Sequence, residues 1–508
     1  MYNLPDQYSL KTNLFTKKQE WLGYFLVAAL CLVARGYLIP EKGLIDYDSV
    51  RNYEILRELE AGNFKNLFHH ASPGFFLLFL PFTFLFKDPS SFIYLNILFG
   101  VGAVLLLIRF FRHHLIFPVP EAFLTGLLFG LSVFAVHNSR DLSIESISLF
   151  LFILLLDRYY IRISRHDKKA FFQAVVILAV GLTVNYKLIL VLPVALVIEL
   201  LQRDGLLTPK ILLRAGLILL APFVLFAVVA IVLGQPFYRF PAAIVSINNF
   251  TQPNPALRTG RFNFDILYYF RYIIQYELPL LLPSLLLYPV LFRRKLFNKI
   301  NQELNIYQYL FLIVFMYLGG MQLVLKAPRG LAFIYGILYF IFYLVIKKLV
   351  PYRLVIIIFL AAAICYQLWQ LPRAVYAYSV SAYPAVVTYL EQNNIHKVAT
   401  TVGRGLVPLA NEKGIEVKVI FSESELPDLK KQGFRYVLHD EYYQASNIQQ
   451  FKKTEKLPAI KTWREPTLIN PLLYLDHSEF TGLSYLQTLA LHQKATQDTI
   501  QLRLVRIP

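Results

Sequence analysis

Charge and cysteine are scarce in this sequence. Only 16% of its 508 residues are Asp, Glu, Lys or Arg, against about 25% in an ordinary soluble domain. So little charge, joined to 56% hydrophobic residues in several long apolar runs, excludes a soluble globular chain. The two cysteines, Cys31 and Cys365, lie inside apolar runs without a nearby partner or metal-ligand spacing, so they read as packing residues. There is no internal repeat and no low-complexity tract. The Gly403-Arg404-Gly405 stretch lacks the third glycine of a dinucleotide fingerprint and reads as a plain turn. The apolar run from Trp21 to Pro40 is too long for a signal-peptide core and has no clear small-residue cleavage site, which predicts a retained first helix.

Acidic residues are outnumbered, leaving a formal net charge of +18. The cations are not spread over a face interleaved with aromatics, so nucleic acid is not the expected partner. They cluster between apolar runs: Arg158, Arg162, Arg165, Lys168 and Lys169; then Arg293, Arg294 and Lys295; then Lys347 and Lys348. Clusters of this kind mark cytoplasmic loops. With Lys11, Lys17 and Lys18 inside, positive-inside parity holds through the chain only if 73–86 does not cross. That segment falls short of the roughly 20 residues a span needs, and Pro73 and Pro81 break it. It is therefore expected to lie as a juxtamembrane or half-inserted helix on the outer face.

The predicted spans are then 21–40, 90–111, 121–138, 142–158, 170–186, 188–201, 211–234, 277–292, 307–325, 331–346 and 352–371, with a long external loop at 235–276. The expected fold is an α-helical polytopic membrane protein of about eleven transmembrane helices plus outer juxtamembrane helices, with a C-terminal α/β extracytoplasmic domain. The membrane domain covers 1–372, with an outer loop at 41–89, and the second domain covers 373–508. In the latter, strands at 397–402, 417–421 and 436–440 alternate with helices at 383–394, 404–413 and 424–432, predicting a small parallel sheet. The N-terminus is expected in the cytoplasm.

The most informative stretch runs from Leu44 to Phe76. It carries Asp46 and Asp48, an amphipathic segment, then His69, His70 and a Ser72-Pro73-Gly74 turn. With this topology the outer face also collects Arg140, Asp141, Glu145, Lys187, Arg258, Arg261, Lys326 and Arg329. Ionisable groups near membrane depth mark function. A few acids among several cations suit transfer from a phosphate-bearing donor: an acid takes the proton of a hydroxyl or amine nucleophile, and cations hold the phosphate. Plainer readings stand beside this one. Asp48 also fits a helix cap, Arg140 with Asp141 a local ion pair, and Lys187, Lys326 and Arg329 interfacial snorkelling. Adjacent His69 and His70 do not share a helix face and make a poor metal pair.

The order of these motifs resembles the GT-C membrane glycosyltransferases, in particular bacterial members related to protein mannosyltransferases and lipid A aminoarabinose transferases. Asp48-Ser49, followed by Tyr53, Leu56, Gly62 and His70-Ala-Ser-Pro73, is similar to that family's acidic motif, helix ending in Gly, and HPP-like turn. The spacing to Gly62 favours Asp48 over Asp46. Asn138 to Ser146, Gly181 to Pro193 and Leu325 to Phe340 resemble later outer-face motifs. The resemblance covers about 44–200 and 305–345. It implies a sugar donor on a polyprenyl phosphate, inverting transfer at the outer face of a bacterial cytoplasmic membrane, and a lipid, glycan or protein acceptor. Asp48 would be the base, with Asp46 the other candidate, and Asp141 a second acid. Lys187, Lys326, Arg329 and Arg140 would bind donor phosphate, and His69, His70, Glu145 and Tyr53 would position donor or acceptor. No obligatory cofactor is implied; a divalent metal, which some relatives hold with such acids, is the alternative. A lipid-linked glycan polymerase or ligase, a flippase-type transporter and an inactive partner-binding homologue are the other classes the sequence leaves open.

Overall fold

The computed structural model describes residues 17–42, 44, 47–202, 207–250, 265–297, 304–323, 326–377, 382–401, 406–420, 422–442, 451–465, 470–478, 482–497 and 500–507. Asp46, Arg258, Arg261 and the 403–405 turn lie outside the described residues.

Each expected span falls on helix. Among the described residues three helices are long and apolar enough to cross a membrane: Pro89–Leu115, Pro209–Val232 and Arg353–Ala374. Two bent pairs raise that number to five. Lys17–Gly36, Glu145–Arg165, Lys168–Val184, Val191–Gln202, Ile306–Met321 and Tyr335–Leu349 occupy the other expected positions, being shorter or more charged than a standard span.

The two bent pairs depart from the sequence expectation. The span predicted at 121–138 is broken into Val119–Gly130 and Val133–Ser139, which meet at 58°. The break falls where Ser132 leaves the helix and its Oγ accepts from Ala135 N at 3.3 Å, capping the second piece. The loop expected at 235–276 contains two helices, Arg239–Phe250 and Tyr268–Tyr276. The second is drawn inward by Tyr268, Tyr269, Tyr272, Ile273 and Tyr276, which recur at helical spacing and are all buried.

The Tyr335–Leu349 helix is apolar on every side and buried from Tyr335 to Ile346, so it forms the axis of the bundle. Pro209–Val232 is its opposite. It leaves Leu213, Leu217, Val224, Val228 and Val232 exposed, an outward face that suits hydrocarbon rather than water.

The Tyr47–Glu60 helix buries Val50, Tyr53, Ile55, Leu56 and Leu59 and keeps Arg51, Glu54 and Glu58 as a paired polar edge. It stops at Gly62, whose φ of 81° is the left-handed conformation a helix end favours and a side chain resists. The Pro73–Thr83 helix is about 16 Å long at 1.5 Å per residue, too short to cross, and buries Phe75, Phe76 and Phe79. Gly74 lets it approach the Lys168–Val184 helix, because a Cβ there would collide with Thr183.

The C-terminal sheet has five strands in the order β2-β1-β3-β5-β4. β1 (Lys397–Thr400) runs parallel to β2 (Glu416–Val419) and β3 (Tyr436–Asp440), the expected three-stranded unit. Two antiparallel strands extend it: β5 (Ile500–Arg506) pairs with β3 and with β4 (Ala459–Glu465). The alternation of Ile500, Leu502 and Leu504 is the strand signal that marks β5. The sheet module docks at one end of the bundle, where its Leu406–Glu412 helix packs beside Tyr47–Glu60.

Candidate functional site

Asp48 sits in the first turn of the Tyr47–Glu60 helix, where unpaired backbone amides favour negative charge. Its Oδ1 lies 3.4 Å from His70 Nε2 and its Oδ2 lies 3.4 Å from Arg329 Nη1. Three segments distant in sequence thus converge: the acidic helix, the histidine turn, and the Pro328–Leu331 turn that precedes the central helix. The Asp48 and His70 side chains keep 23% and 33% of their surface accessible, so the pair has an open edge.

The histidine turn is strained. His70 has φ 49° and ψ 23°, and Ala71 has φ 52°. Left-handed backbone at two successive residues that are not glycine costs about 1–3 kcal/mol each and is found where the surroundings impose it. Here Ser72 Oγ donates to His70 O at 3.0 Å, Ala71 is fully buried, and Pro73 opens the next helix. The strain turns the His70 ring toward Asp48. The His69 ring stacks edge-on against it, with centroids 4.0 Å apart.

Burial works against ionisation of Asp48. The neighbouring His70, by charge and by hydrogen bond, then Arg329 and His69, overcome it and hold the carboxyl well below the usual range. Burial likewise works against protonation of His70, but Asp48 raises its pKa. His69 behaves oppositely: burial first, then the charges of His70 and Arg51, push it down to about 2, so it stays neutral. Its Nε2 is buried with no hydrogen-bond partner among the described residues.

Asp141 and Arg140 are placed differently. Asp141 Oδ1 pairs with Lys42 Nζ, and Lys42 also donates to Arg140 O at 2.7 Å. Arg140 is 1% exposed, donates to Arg35 O at 2.8 Å and lies over the Tyr376 ring. Asn52 and Asn96 donate to Leu142 O and Asp141 O at 2.8 and 2.7 Å. These groups tie the Val133–Ser139 helix end to the first helix and to Tyr47–Glu60.

Of the other expected residues, Glu145 is buried and close enough to add to the upward shift of His70. Tyr53 faces away from Asp48 around its helix; its hydroxyl donates to Lys87 O at 2.5 Å and its ring meets Phe92. Lys187 lies in a turn capped by Asn185, whose Oδ1 accepts Lys187 N at 3.0 Å. Lys326 is 5% exposed, donates to Gln322 O at 3.1 Å, and has its pKa lowered by burial, with Asp265 opposing.

Sequence reasoning missed Lys42, Asn52, Asn96 and Glu277. Glu277 is fully buried at the 115° bend between Tyr268–Tyr276 and Leu281–Leu291, where it accepts from Phe134 N at 2.7 Å and Tyr339 OH at 2.6 Å. Its signal was available, since a lone acid opening an apolar run is expensive unless partnered. Lys42 had a weaker one, as a cation close before two acids.

Among the described residues no group of three His, Cys, Asp or Glu side chains is arranged around a metal position. At Asp48 one carboxylate oxygen faces His70 and the other faces the Arg329 guanidinium. A single carboxylate with a histidine on one oxygen and a guanidinium on the other can take a proton and stand beside a phosphate.

Comparison with protein-family models finds no match, and comparison with curated proteins finds none either. Solved structures do match. An oligosaccharyltransferase from Archaeoglobus fulgidus, crystallised with zinc and sulfate, superposes with a TM-score of 0.55 at 12% identity, over 84% of this chain and 70% of that one. ArnT from Cupriavidus metallidurans in the apo state superposes with a TM-score of 0.53 at 13% identity, over 89% and 97%. The same ArnT bound to undecaprenyl phosphate gives 0.48 at 12% identity, over 85% and 95%. The likeness to the first two covers most of the chain, and at these identities it speaks for the fold. The chain shares the fold of these two proteins over most of its length.

Proposed function

We propose that this protein is an integral-membrane glycosyltransferase that moves a sugar from a polyprenyl-phosphate donor to an acceptor at the extracytoplasmic face, with inversion, and that Asp48 is its catalytic carboxylate. The observation that carries this reading is the Asp48–Arg329 pair, which sets a proton acceptor beside a phosphate ligand. In the reaction the acceptor oxygen or nitrogen forms its bond to the anomeric carbon as the carbon–oxygen bond to phosphate breaks. The acceptor proton passes to Asp48, and the electron pair leaves on the polyprenyl phosphate, whose charge Arg329 neutralises.

The cationic neighbours that keep Asp48 ionised also make it a weak base in the resting site. Both contacts to Asp48 are long for charge-assisted hydrogen bonds. A donor phosphate competes for Arg329 and loosens its hold on Asp48, which raises the basicity of the carboxylate when the donor is in place. Lys187 and Lys326 are the further candidates for the phosphate, and Glu145 and His69 for positioning. Arg140 and Asp141 act through the scaffold they hold. Tyr53 acts by fixing the outer helix.

Deleting the gene should cause a polyprenyl-phosphate sugar to accumulate and one sugar-bearing lipid, glycan or protein to disappear. Supplying the gene back should reverse both changes. An unchanged profile of lipid-linked sugars and glycans contradicts the reading. The proposed orientation has about eleven crossings, the N-terminus in the cytoplasm and the sheet module outside. A cysteine at position 141 should then react with an impermeant reagent from outside and one at 165 only from the cytoplasm. Labelling of 141 from the cytoplasm alone rejects that orientation.

A further inference from the structure

The C-terminal module reaches the site through residues 470–478. Asn470 caps this segment, its Oδ1 accepting Leu472 N at 2.9 Å, and Pro471–Asp476 follows as a short helix. Leu472 and Leu475 bury in the core of the membrane domain, whereas the face of the sheet has a core of its own. Polar contacts at the end of the segment are specific. Asp476 Oδ2 lies 2.9 Å from His137 Nε2 on the broken span. Ser478 Oγ lies 2.6 Å from both Lys326 O and Leu475 O and 2.7 Å from Tyr268 OH, which itself lies 3.1 Å from Leu475 O. Tyr268 and Ser478 are 1% and 2% exposed, so water does not compete for these bonds.

The segment is tied back to the sheet. Tyr442, just beyond β3, meets His477 Nδ1 at 2.9 Å through its hydroxyl, and its own amide donates to Asp440 Oδ1 at 2.9 Å. Forward of Ser478 lies the turn that carries Arg329. Its carbonyls are held at three points: Lys326 O by Ser478, Pro328 O by Tyr335 OH at 3.3 Å, and Gly330 O by Tyr317 OH at 3.0 Å. The tyrosines belong to membrane helices; Ser478 belongs to the C-terminal module.

We propose that 470–478 is a latch by which the C-terminal module holds the Arg329 turn in register with Asp48, with Ser478 as its positioning residue. This rests on the reading of Arg329 as a phosphate ligand. A serine suits the place because its one hydroxyl proton can go to Lys326 O, with Leu475 O the competing acceptor at the same 2.6 Å, while its oxygen can accept from Tyr268. The latch makes phosphate binding depend on docking of the module, through a chain of bonds from β3 to Tyr442, His477, Ser478 and Lys326.

The test uses the full-length purified protein, with undecaprenyl phosphate as the probe and two readouts: its affinity, and amide hydrogen exchange over 327–334. In the native protein this turn is protected by Gly330 N to Ala327 O, Ala332 N to Arg329 O and Ile334 N to Leu331 O. Ser478→Ala should speed exchange across the turn and weaken the probe about 3- to 10-fold, and Ser478→Thr should restore both. His137→Leu, which removes the contact to Asp476, should shift both readouts in the same direction. Exchange and affinity unchanged in Ser478→Ala and His137→Leu overturn the latch. Arg329→Ala is the separate arm: if it leaves affinity for the probe intact, the phosphate reading of Arg329 fails, while exchange over the turn still decides whether the module holds it.

Discussion

Asp48 and Asp141 are acids at the same end of the helical bundle, and the fold treats them in opposite ways. Asp141 is closed in: its side chain is 12% exposed, Lys42 pairs with it, and Asn96 holds its carbonyl. Asp48 is left with an open edge, two longer contacts at 3.4 Å, and a strained histidine turn beside it. An acid that finishes the architecture has short, saturated partners. An acid kept for chemistry has partners that a substrate can displace. The difference teaches that two acids at one end of the bundle are told apart by how tightly their partners hold them, not by their place in the sequence.

The comparison can be broken first at Lys42. If the Lys42–Asp141 pair is structural, Lys42→Ala strands a buried carboxylate and should cost about 3–5 kcal/mol of stability. Unfolding of the variant at the native temperature contradicts the structural assignment. Removing the charge of Arg329 leaves a carboxylate that water reaches, and its stability cost should be much smaller.

A smaller effect sharpens the Asp48 side. His69 is held down to about 2 from the ordinary 6.5. The unfolded chain therefore takes up a proton that the folded site refuses, and stability falls as pH drops below about 6.5. The raised His70 contributes in the other sense: its stabilisation is present below 6.5 and is lost as pH rises through its elevated pKa. His69→Gln should flatten the acid side of the stability–pH curve by on the order of a few degrees, and His70→Gln the alkaline side. Curves that keep the native shape in both variants contradict the assigned protonation states.

Much of this fold was legible in the sequence because long apolar runs report directly on helices that face lipid or the bundle core. The predicted spans coincide with helical segments, that at 121–138 broken in two, and Pro73–Thr83 is a helix too short to cross. The breaks were not legible. The 58° bend at Ser132 comes from a local cap inside a run whose composition reads as continuous. At the site, the residue spacing that singled out Asp48 also pointed to His70, since both belong to one local motif. The partner of Asp48 from the other end of the chain, Arg329, was visible only as a cation on the same face. Its pairing is a tertiary fact, made by two turns 281 positions apart. Nothing local distinguishes the closed Asp141 from the open Asp48, because Lys42 and Asn96 reach it from elsewhere in the chain.

The central claim is that Asp48 does the chemistry and Asp141 holds the scaffold. The most direct test measures transfer rate and thermal stability together in Asp48→Asn and Asp141→Asn. Asp48→Asn should lose about 10²–10⁴-fold in rate with little change in stability, while Asp141→Asn should lose stability and keep most of its rate per folded molecule. Near-native transfer by folded Asp48→Asn contradicts the account.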